Sequence, residues 1–367
     1  MRRVLAAIVA TLFLFTSSQS ATALEVSISV SEPSHRQMNG DFIDDGLVEH
    51  LAFDGKLGEL VFSPPRGDRI WFIDPELIED ITAMSLGYKL INGDDGAGVE
   101  VATAWLNQLQ AITRGDQISA LPYGDPSGYW ISKLLPGKRS FYLELGANRL
   151  TELLGREVNQ MQEFPRRDAP KVDNLAIAAF EGAQRALKIN APYMLLGDVE
   201  IFQAKSASIF HVDLITAQRA KLRLDLMKNT EQLTRKIRLI SGRFTITSNK
   251  QDLPITLVND FPEAVEVSVR VLASNGKLLV RSVADQVIEG SSKIQLMVPV
   301  EVVTSGESSI LVSLRSKSGK LLGKEVLFPV NLRVISPIAT WITTGAAIIL
   351  FISALIQSYR RIRRKRL

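Results

Sequence analysis

The chain has 367 residues, of which 46% are hydrophobic and 22% charged, with a formal net charge of +4 and no cysteine. That length suggests more than one domain, and the lack of Cys excludes disulfides, a thiolate nucleophile, a lipobox lipid and Cys-ligated zinc. The positive charge sits at the two ends. Setting aside Arg2, Arg3 and the six cations between Arg360 and Arg366 leaves 35 basic residues against 39 acidic ones, which gives no support for nucleic-acid binding.

Residues 1–23 read as a secretory signal. Arg2 and Arg3 form a positive n-region, Val4 to Phe15 is almost wholly apolar, and Ala21-Thr22-Ala23 is a small-residue cleavage site. An exported domain without Cys must be held by packing alone, a pattern commoner in bacterial export than in eukaryotic ectodomains.

Residues 24–240 read as an α/β ectodomain. Three apolar runs, RIWFIDPE, QISALPYGDP and APYMLLGDVE, each lead to an aspartate: Asp74, Asp125 and Asp198. Each run is expected to be a short strand feeding a loop. Helical patterns lie between them, from Pro75, over Val99–Ile112 and over Lys171–Leu187, and a long charged helix is expected from Asp213 to Ile240. Strand alternating with helix predicts parallel strands, as a truncated barrel or an open sheet. Functional residues in such folds gather at the carboxyl ends of strands. Asp is also a favoured helix cap and turn residue. Asp74-Pro75 and Asp125-Pro126 both suit helix starts, so architecture is the first reading of those two carboxylates.

Residues 241–335 change pattern. Seven alternating β-branched runs, separated by turn residues such as Asn259-Asp260-Phe261-Pro262, Asn275-Gly276 and Ser318-Gly319, predict an all-β Ig-like sandwich next to the membrane. It is expected to serve as a stalk; the alternative is a glycan-binding or partner-binding module. Residues 337–359 read as a transmembrane helix: Ile338 to Ile356 is uncharged, with Trp341 and Tyr359 near its ends. Residues 360–367 form a basic tail, which the positive-inside rule assigns to the cytoplasm. The expected localisation is the plasma membrane, single-pass, with the ectodomain outside.

WFIDPELIEDITAMSLGY, ATAWLNQLQ and ISALPYGDPSGYW resemble the middle of an uncharacterised family of actinobacterial single-pass envelope proteins. That family's pattern has a DP-x-L strand end, a Met-x-x-Gly-Tyr helix end, an AAxWL helix and an LPYxDPD loop. ITSNKQDLPITLVNDFPEAVEVSVRV is similar to the opening of its membrane-proximal sandwich. The family is often encoded beside the MviN-like lipid II flippase, so the resemblance implies a link to cell-wall assembly. It also implies a middle domain distantly like the barrels of glycan hydrolases and deacetylases. The chain departs from the pattern in two respects. Leu24 to Asp68 is too short for the further N-terminal β-rich domain of longer members, and Ser127 stands where the family carries another acid.

The chemistry that the residues permit is narrow. His35, His50 and His211 form no H-x₂₋₅-H pair, which argues against a metal hydrolase, and no metal or cofactor is expected. No G-x-S-x-G, Walker loop or G-x-G-x-x-G occurs. Glycoside hydrolysis needs two carboxylates about 5–9 Å apart, for which Asp74, Asp125 and Asp198 are the candidates. Tyr123, Tyr129 and Trp130 are the candidate binding residues, with Trp71 and Trp105 assigned to the core. The preferred expectation is a non-catalytic, membrane-anchored envelope protein that binds cell-wall glycan or another envelope protein. A membrane-anchored glycan hydrolase is the alternative.

Overall fold

The computed structural model describes residues 25–281, 283–333 and 337–364. The expected signal segment 1–23 and the last three residues of the basic tail lie outside them. In chain order the elements are β1 (Val26–Val30), α1 (Gly46–Leu51), α2 (Lys56–Phe62), β2 (Arg69–Ile73), α3 (Pro75–Ser85), α4 (Val99–Ile112), β3 (Gln117–Ala120), α5 (Gly128–Leu134), α6 (Arg139–Leu154) and β4 (Asn159–Gln160). Then follow α7 (Asn174–Asn190), a 3₁₀ turn (Ala191–Tyr193), α8 (Leu196–Ala207), a second 3₁₀ turn (Ser208–Phe210) and α9 (Thr216–Arg235). The chain continues with β5 (Ile237–Leu239), β6 (Phe244–Ile246), β7 (Lys250–Asn259), β8 (Val265–Ala273), β9 (Leu278–Val280), β10 (Gln286–Ile288), β11 (Ser292–Val302), β12 (Gly306–Ser316), β13 (Leu321–Leu332) and α10 (Pro337–Arg364).

The fold is mixed α/β in two units. One comprises residues up to 35, 42–123 and 140–165; the other comprises 36–41, 124–139 and 166 onward. This division falls elsewhere than a cut near residue 240. The reason lies in α7 and α9: Ala186 and Leu233 are buried in the same core as the later strands, so these helices belong to the β-rich unit.

The first unit is built on a parallel sheet in the order β1-β2-β3-β4. Sequential order with parallel neighbours is the order of a barrel wall; a doubly wound sheet reverses direction at a switch point. Side chains alternate across the sheet. Ile28 and Val30, Trp71 and Ile73, and Ile118 and Ala120 are buried on one face, against Leu47, Leu57, Ile78, Ile81 and Leu109 from the helices. Trp71 and Trp105 are fully buried core residues. Each indole is satisfied: Trp71 donates to Asp116 Oδ2 (2.8 Å) and Trp105 to the Leu57 carbonyl (3.0 Å), which removes the cost of burying a polar N–H.

The second unit carries two sheets, β10-β8-β12-β13-β6 and β5-β7-β11-β9. Pairing is antiparallel except for β6 with β13. Inward residues alternate with outward ones and meet in one core, with Ile255, Leu257, Val298 and Val300 from one sheet and Val265, Val267, Ile310, Val312 and Phe328 from the other. Among the described residues nine strands replace the expected seven. The two additions, β5 and β10, are three residues each; β6 and β9 are as short, but they lie within the longer runs RFTITSN and KLLVRSV, where a period-two pattern registers. β5 also takes the place of the last turn of the long helix expected to reach Ile240.

α10 contains a stretch, Trp341–Ser358, long and apolar enough to cross a membrane, and none of it is buried. Its helix continues through Arg360 to Arg364, beyond the expected end at 359.

Candidate functional site

The loop after β3 was the leading candidate from sequence, and the boundary between units falls inside it, after Tyr123. Gly124 and Asp125 both have positive φ, at 72° and 38°. Gly adopts this freely and Asp tolerates it better than most residues. Asp125 is not a helix cap: the N-cap of α5 is Ser127 and Pro126 precedes it. Instead the Asp125 carboxylate, 2% exposed, is ion-paired with Arg167. Ser127 N–H donates to the Phe210 carbonyl (3.0 Å), and Pro126 bridges to His211. Trp130 donates to the Pro170 carbonyl (3.0 Å) and stacks on Phe210, with centroids 5.8 Å apart. The loop therefore ties α5 to residues 166–170 and 208–211 within the second unit.

The other expected site residues separate into distinct roles. Asp74 is buried and caps α3, accepting from Glu76 N–H at 3.0 Å, as its Asp-Pro context implied. Asp198 does not follow a strand. The run APYMLLGD folds as a 3₁₀ turn and the start of α8, and Asp198 is exposed in that helix's first turn. A short apolar run does not separate strand from helix by pattern alone, and Gly197 with acidic residues at 198 and 200 fits a helix start equally well. Tyr123 is fully buried and donates to Glu79 Oε2 (2.7 Å). Burial, with Glu76, Glu79 and Asp80 close by, holds its phenol well above the ordinary tyrosine range. Trp130 is 9% exposed, so it is a packing residue and not a platform. Of the three aromatics only Tyr129, 53% exposed, offers a surface, with the Lys133 ammonium 5.5 Å from its ring centre.

Replacing Asp125 with Asn keeps a residue suited to positive φ while removing the charge opposite Arg167. Urea unfolding of the detergent-solubilised chain is expected to show a loss of about 1–2 kcal/mol, smaller than for a fully buried pair because the guanidinium is part-exposed. Arg167→Gln combined with Asp125→Asn is expected to cost less than the sum of the two single changes. Strict additivity would show that the pair contributes nothing.

Two features were not visible in the sequence. The first is a cavity of about 670 Å³ in the second unit, lined by Leu187, Pro192, Met194, Leu196 and Val199, with Lys138 and Lys188 among its residues. Among the described residues no aromatic ring lines it. The second is a polar cluster in the first unit, just past the carboxyl end of β1. Glu32, His35 and His50 each present a ligand atom there, all within 4.8 Å of one another. Glu32 and His35 are 6% and 7% exposed. His35 Nδ1 lies 2.7 Å from Asp44 Oδ1, and Lys56 Nζ is 3.0 Å from Glu32 Oε2. Expecting no metal from the absence of a local H-x-H pair overlooked this grouping, because His35 and His50 are fifteen positions apart and meet only through the fold.

These observations define a class: a two-unit α/β protein whose β-rich unit leads into an apolar helix. The sequence of residues 174–366 matches a family of unknown function (DUF6049). The match covers more than half of the chain, and the chain belongs to that family. The blocks at 71–88 and 118–130 lie outside the matched residues. No curated protein matches. Solved structures similar to part of the chain include native α2-macroglobulin of Escherichia coli from domain MG7 to the C-terminus, at 17% identity and TM-score 0.23, covering 27% of this chain and 16% of that one. They also include WR4, a Caenorhabditis elegans MSP family member, at 13% identity and TM-score 0.21, covering 27% of this chain and 98% of that one. A FixG-related protein from Vibrio parahaemolyticus matches at 13% identity and TM-score 0.22, covering 26% of this chain and 94% of that one. Likenesses this low carry nothing about function.

Proposed function

We propose that this chain is a non-catalytic, single-pass protein of the plasma membrane that holds its two units outside the cell to bind another envelope protein. The observation that carries the reading is the wholly exposed apolar stretch Trp341–Ser358, which starts nine residues after β13 ends. An apolar helix of this length with no protein surface against it is stable in hydrocarbon and not in water. The cations from Arg360 to Arg366 support an inward C-terminus. The β-rich unit then acts as an Ig-like sandwich and stalk. A role in actinobacterial wall assembly, beside a lipid II flippase, rests on the family resemblance of the 71–130 block and of the sandwich opening ITSNKQDLPITLVNDFPEAVEVSVRV alone.

The binding reading is favoured over glycan hydrolysis by the state of the three carboxylates. Asp74 caps a helix, Asp125 is neutralised by Arg167, and Asp198 stands on an exposed helical turn. A protein ligand is favoured over glycan by the cavity lining. Sugar recognition relies on aromatic faces, whereas a lining of mostly aliphatic side chains with two lysines, Gln184 and Gln203 suits an apolar segment carrying acidic residues.

The absence of native cysteine allows a clean test. With Leu195→Cys, a membrane-impermeant maleimide is expected to label intact cells. With Arg364→Cys, labelling is expected only after lysis. The reverse pattern, or recovery of the chain in the soluble fraction, would overturn the anchored reading. Co-sedimentation with purified wall glycan that is lost in Tyr129→Ala but kept in Leu196→Asp would replace the protein partner with glycan.

A further inference from the structure

We infer that Glu32, His35 and His50 form a binding site for one divalent transition-metal ion of the Zn²⁺ class. The inference stands apart from the anchoring proposal and rests on the first unit alone. Four features converge on it.

The first is the state of His35. Its ring is buried, and Nδ1 lies against the Asp44 carboxylate, an acceptor, so Nδ1 carries the proton. In the neutral ring Nε2 then holds the lone pair, and among the described residues it is buried with no hydrogen-bond partner. A buried acceptor without a donor costs free energy, and a cation would satisfy it. A carboxylate behind one ring nitrogen with the other left free is the usual second layer of a zinc histidine.

The second is the face that His50 presents. Its Nδ1 is 3.2 Å from Glu32 Oε1 but lacks the alignment of a hydrogen bond. Lys56 occupies the other oxygen, Oε2. Glu32 therefore keeps one oxygen directed toward the histidines.

The third is spacing. Ligand atoms around a tetrahedral zinc with bonds of about 2.0–2.1 Å are about 3.3 Å apart. The donors here lie within 4.8 Å of one another, so closure needs a shift of about 1.5 Å at most, judged against those bond lengths. His50 can supply it, being half-exposed on the short helix α1. Gly46 leaves the room: a Cβ there would stand 3.0 Å from His35 Cε1 and 3.1 Å from Asp44 Oδ1.

The fourth is position. Glu32 and His35 directly follow β1, at the carboxyl end of a parallel strand, where α/β folds place ligands. The donor set of two imidazoles and one carboxylate selects Zn²⁺ over Mg²⁺ or Ca²⁺, which take oxygen ligands. Three protein donors leave a fourth position for water. Asp44 acts as a positioning residue through His35.

The test uses the full chain in detergent, stripped with EDTA and titrated with Zn²⁺ against a chromophoric chelator. One Zn²⁺ per chain is expected, with Co²⁺ giving the strong visible bands of a four- or five-coordinate N,O site. His50→Ala, at a half-exposed ring, should abolish the Co²⁺ bands while leaving the thermal transition of the metal-free protein in place. Asp44→Asn should weaken binding by roughly 10–100-fold. His211→Ala, in the other unit, should bind like the parent. No stoichiometric Zn²⁺ uptake, or uptake unchanged in both His50→Ala and Glu32→Gln, would overturn the site.

Discussion

Asn259→Asp is expected to destabilise the β-rich unit by about 3–5 kcal/mol at neutral pH, the range for an uncompensated buried charge. Asn259 ends β7 and has no exposed surface. Its Nδ2 donates to the carbonyls of Glu263 (2.9 Å), Ile288 (3.1 Å) and Glu289 (3.0 Å). Its Oδ1 accepts from Phe261 N–H at 2.9 Å. One amide therefore joins the β7–β8 turn to the end of β10 and the residue after it. Aspartate has almost the same shape, but it sets a carboxylate oxygen against three carbonyl oxygens. The fold must then hold the acid protonated, which raises its folded pKa above the unfolded value. The sign follows: the deficit is largest above that folded pKa and shrinks as pH falls, because the protonated acid regains one donor. Urea unfolding of the full chain at neutral and mildly acidic pH measures both effects. A deficit below about 1 kcal/mol, ordinary for a surface change, would show that the amide network is not needed.

Gly146→Ala is expected to cost about 3 kcal/mol, the upper range for overpacking, although alanine favours an isolated helix by about 1 kcal/mol. The two effects have opposite signs, so the outcome is decisive. Gly146 lies inside α6, and a Cβ there would stand 2.2 Å from the Leu121 carbonyl oxygen and 3.3 Å from Pro122 Cα. Both obstacles are backbone, so neither can rotate away. The helix or the carboxyl end of β3 must retreat. Gly182→Ala in α7 is the control, since its Cβ would meet only the tip of Arg185 at 3.9 Å. It should be neutral or stabilise by up to about 1 kcal/mol. Stabilisation by both changes would mean that α6 does not press on the strand end.

Much of the fold was legible where a local period was long enough to register. The eleven residues of β11 alternate inward and outward, as do Val326 to Leu332 of β13, and seven of the nine late strands among the described residues follow from such runs. α4 occupies its expected span, Val99–Ile112. Asp74 capping α3 was equally local, because Asp-Pro fixes both the acceptor and the first helical φ. The misreadings occur where the signal is short or ambiguous: β5 and β10 with three residues each, and the apolar run before Asp198, which folds as helix.

The candidate site was less legible. Asp125 drew attention through LPYGDPSGYW, but its partner Arg167 lies 42 positions on. The burial of Tyr123 and Trp130 depends on what packs over them, and so does the exposure of Tyr129. His35 and His50 were discounted because no ligand pair sits at close spacing, yet α1 sets His50 beside Glu32 and His35, which follow β1.

By itself the sequence determined the quantities that depend on composition and on neighbours within a turn or two. These are the lack of disulfides, the two charged ends, the apolar stretch able to span a bilayer, the β-rich late segment and the Asp74 cap of α3. Tertiary structure alone decided which residues share a space. It assigned residues 124–139 and 166–240 to the β-rich unit, tied Asp125 to Arg167 and gathered Glu32, His35 and His50. The physical reason is range. Propensity, capping and periodicity act over a few residues, whereas ion pairs, ligand clusters and burial depend on distances across the chain that exist only once the core has packed.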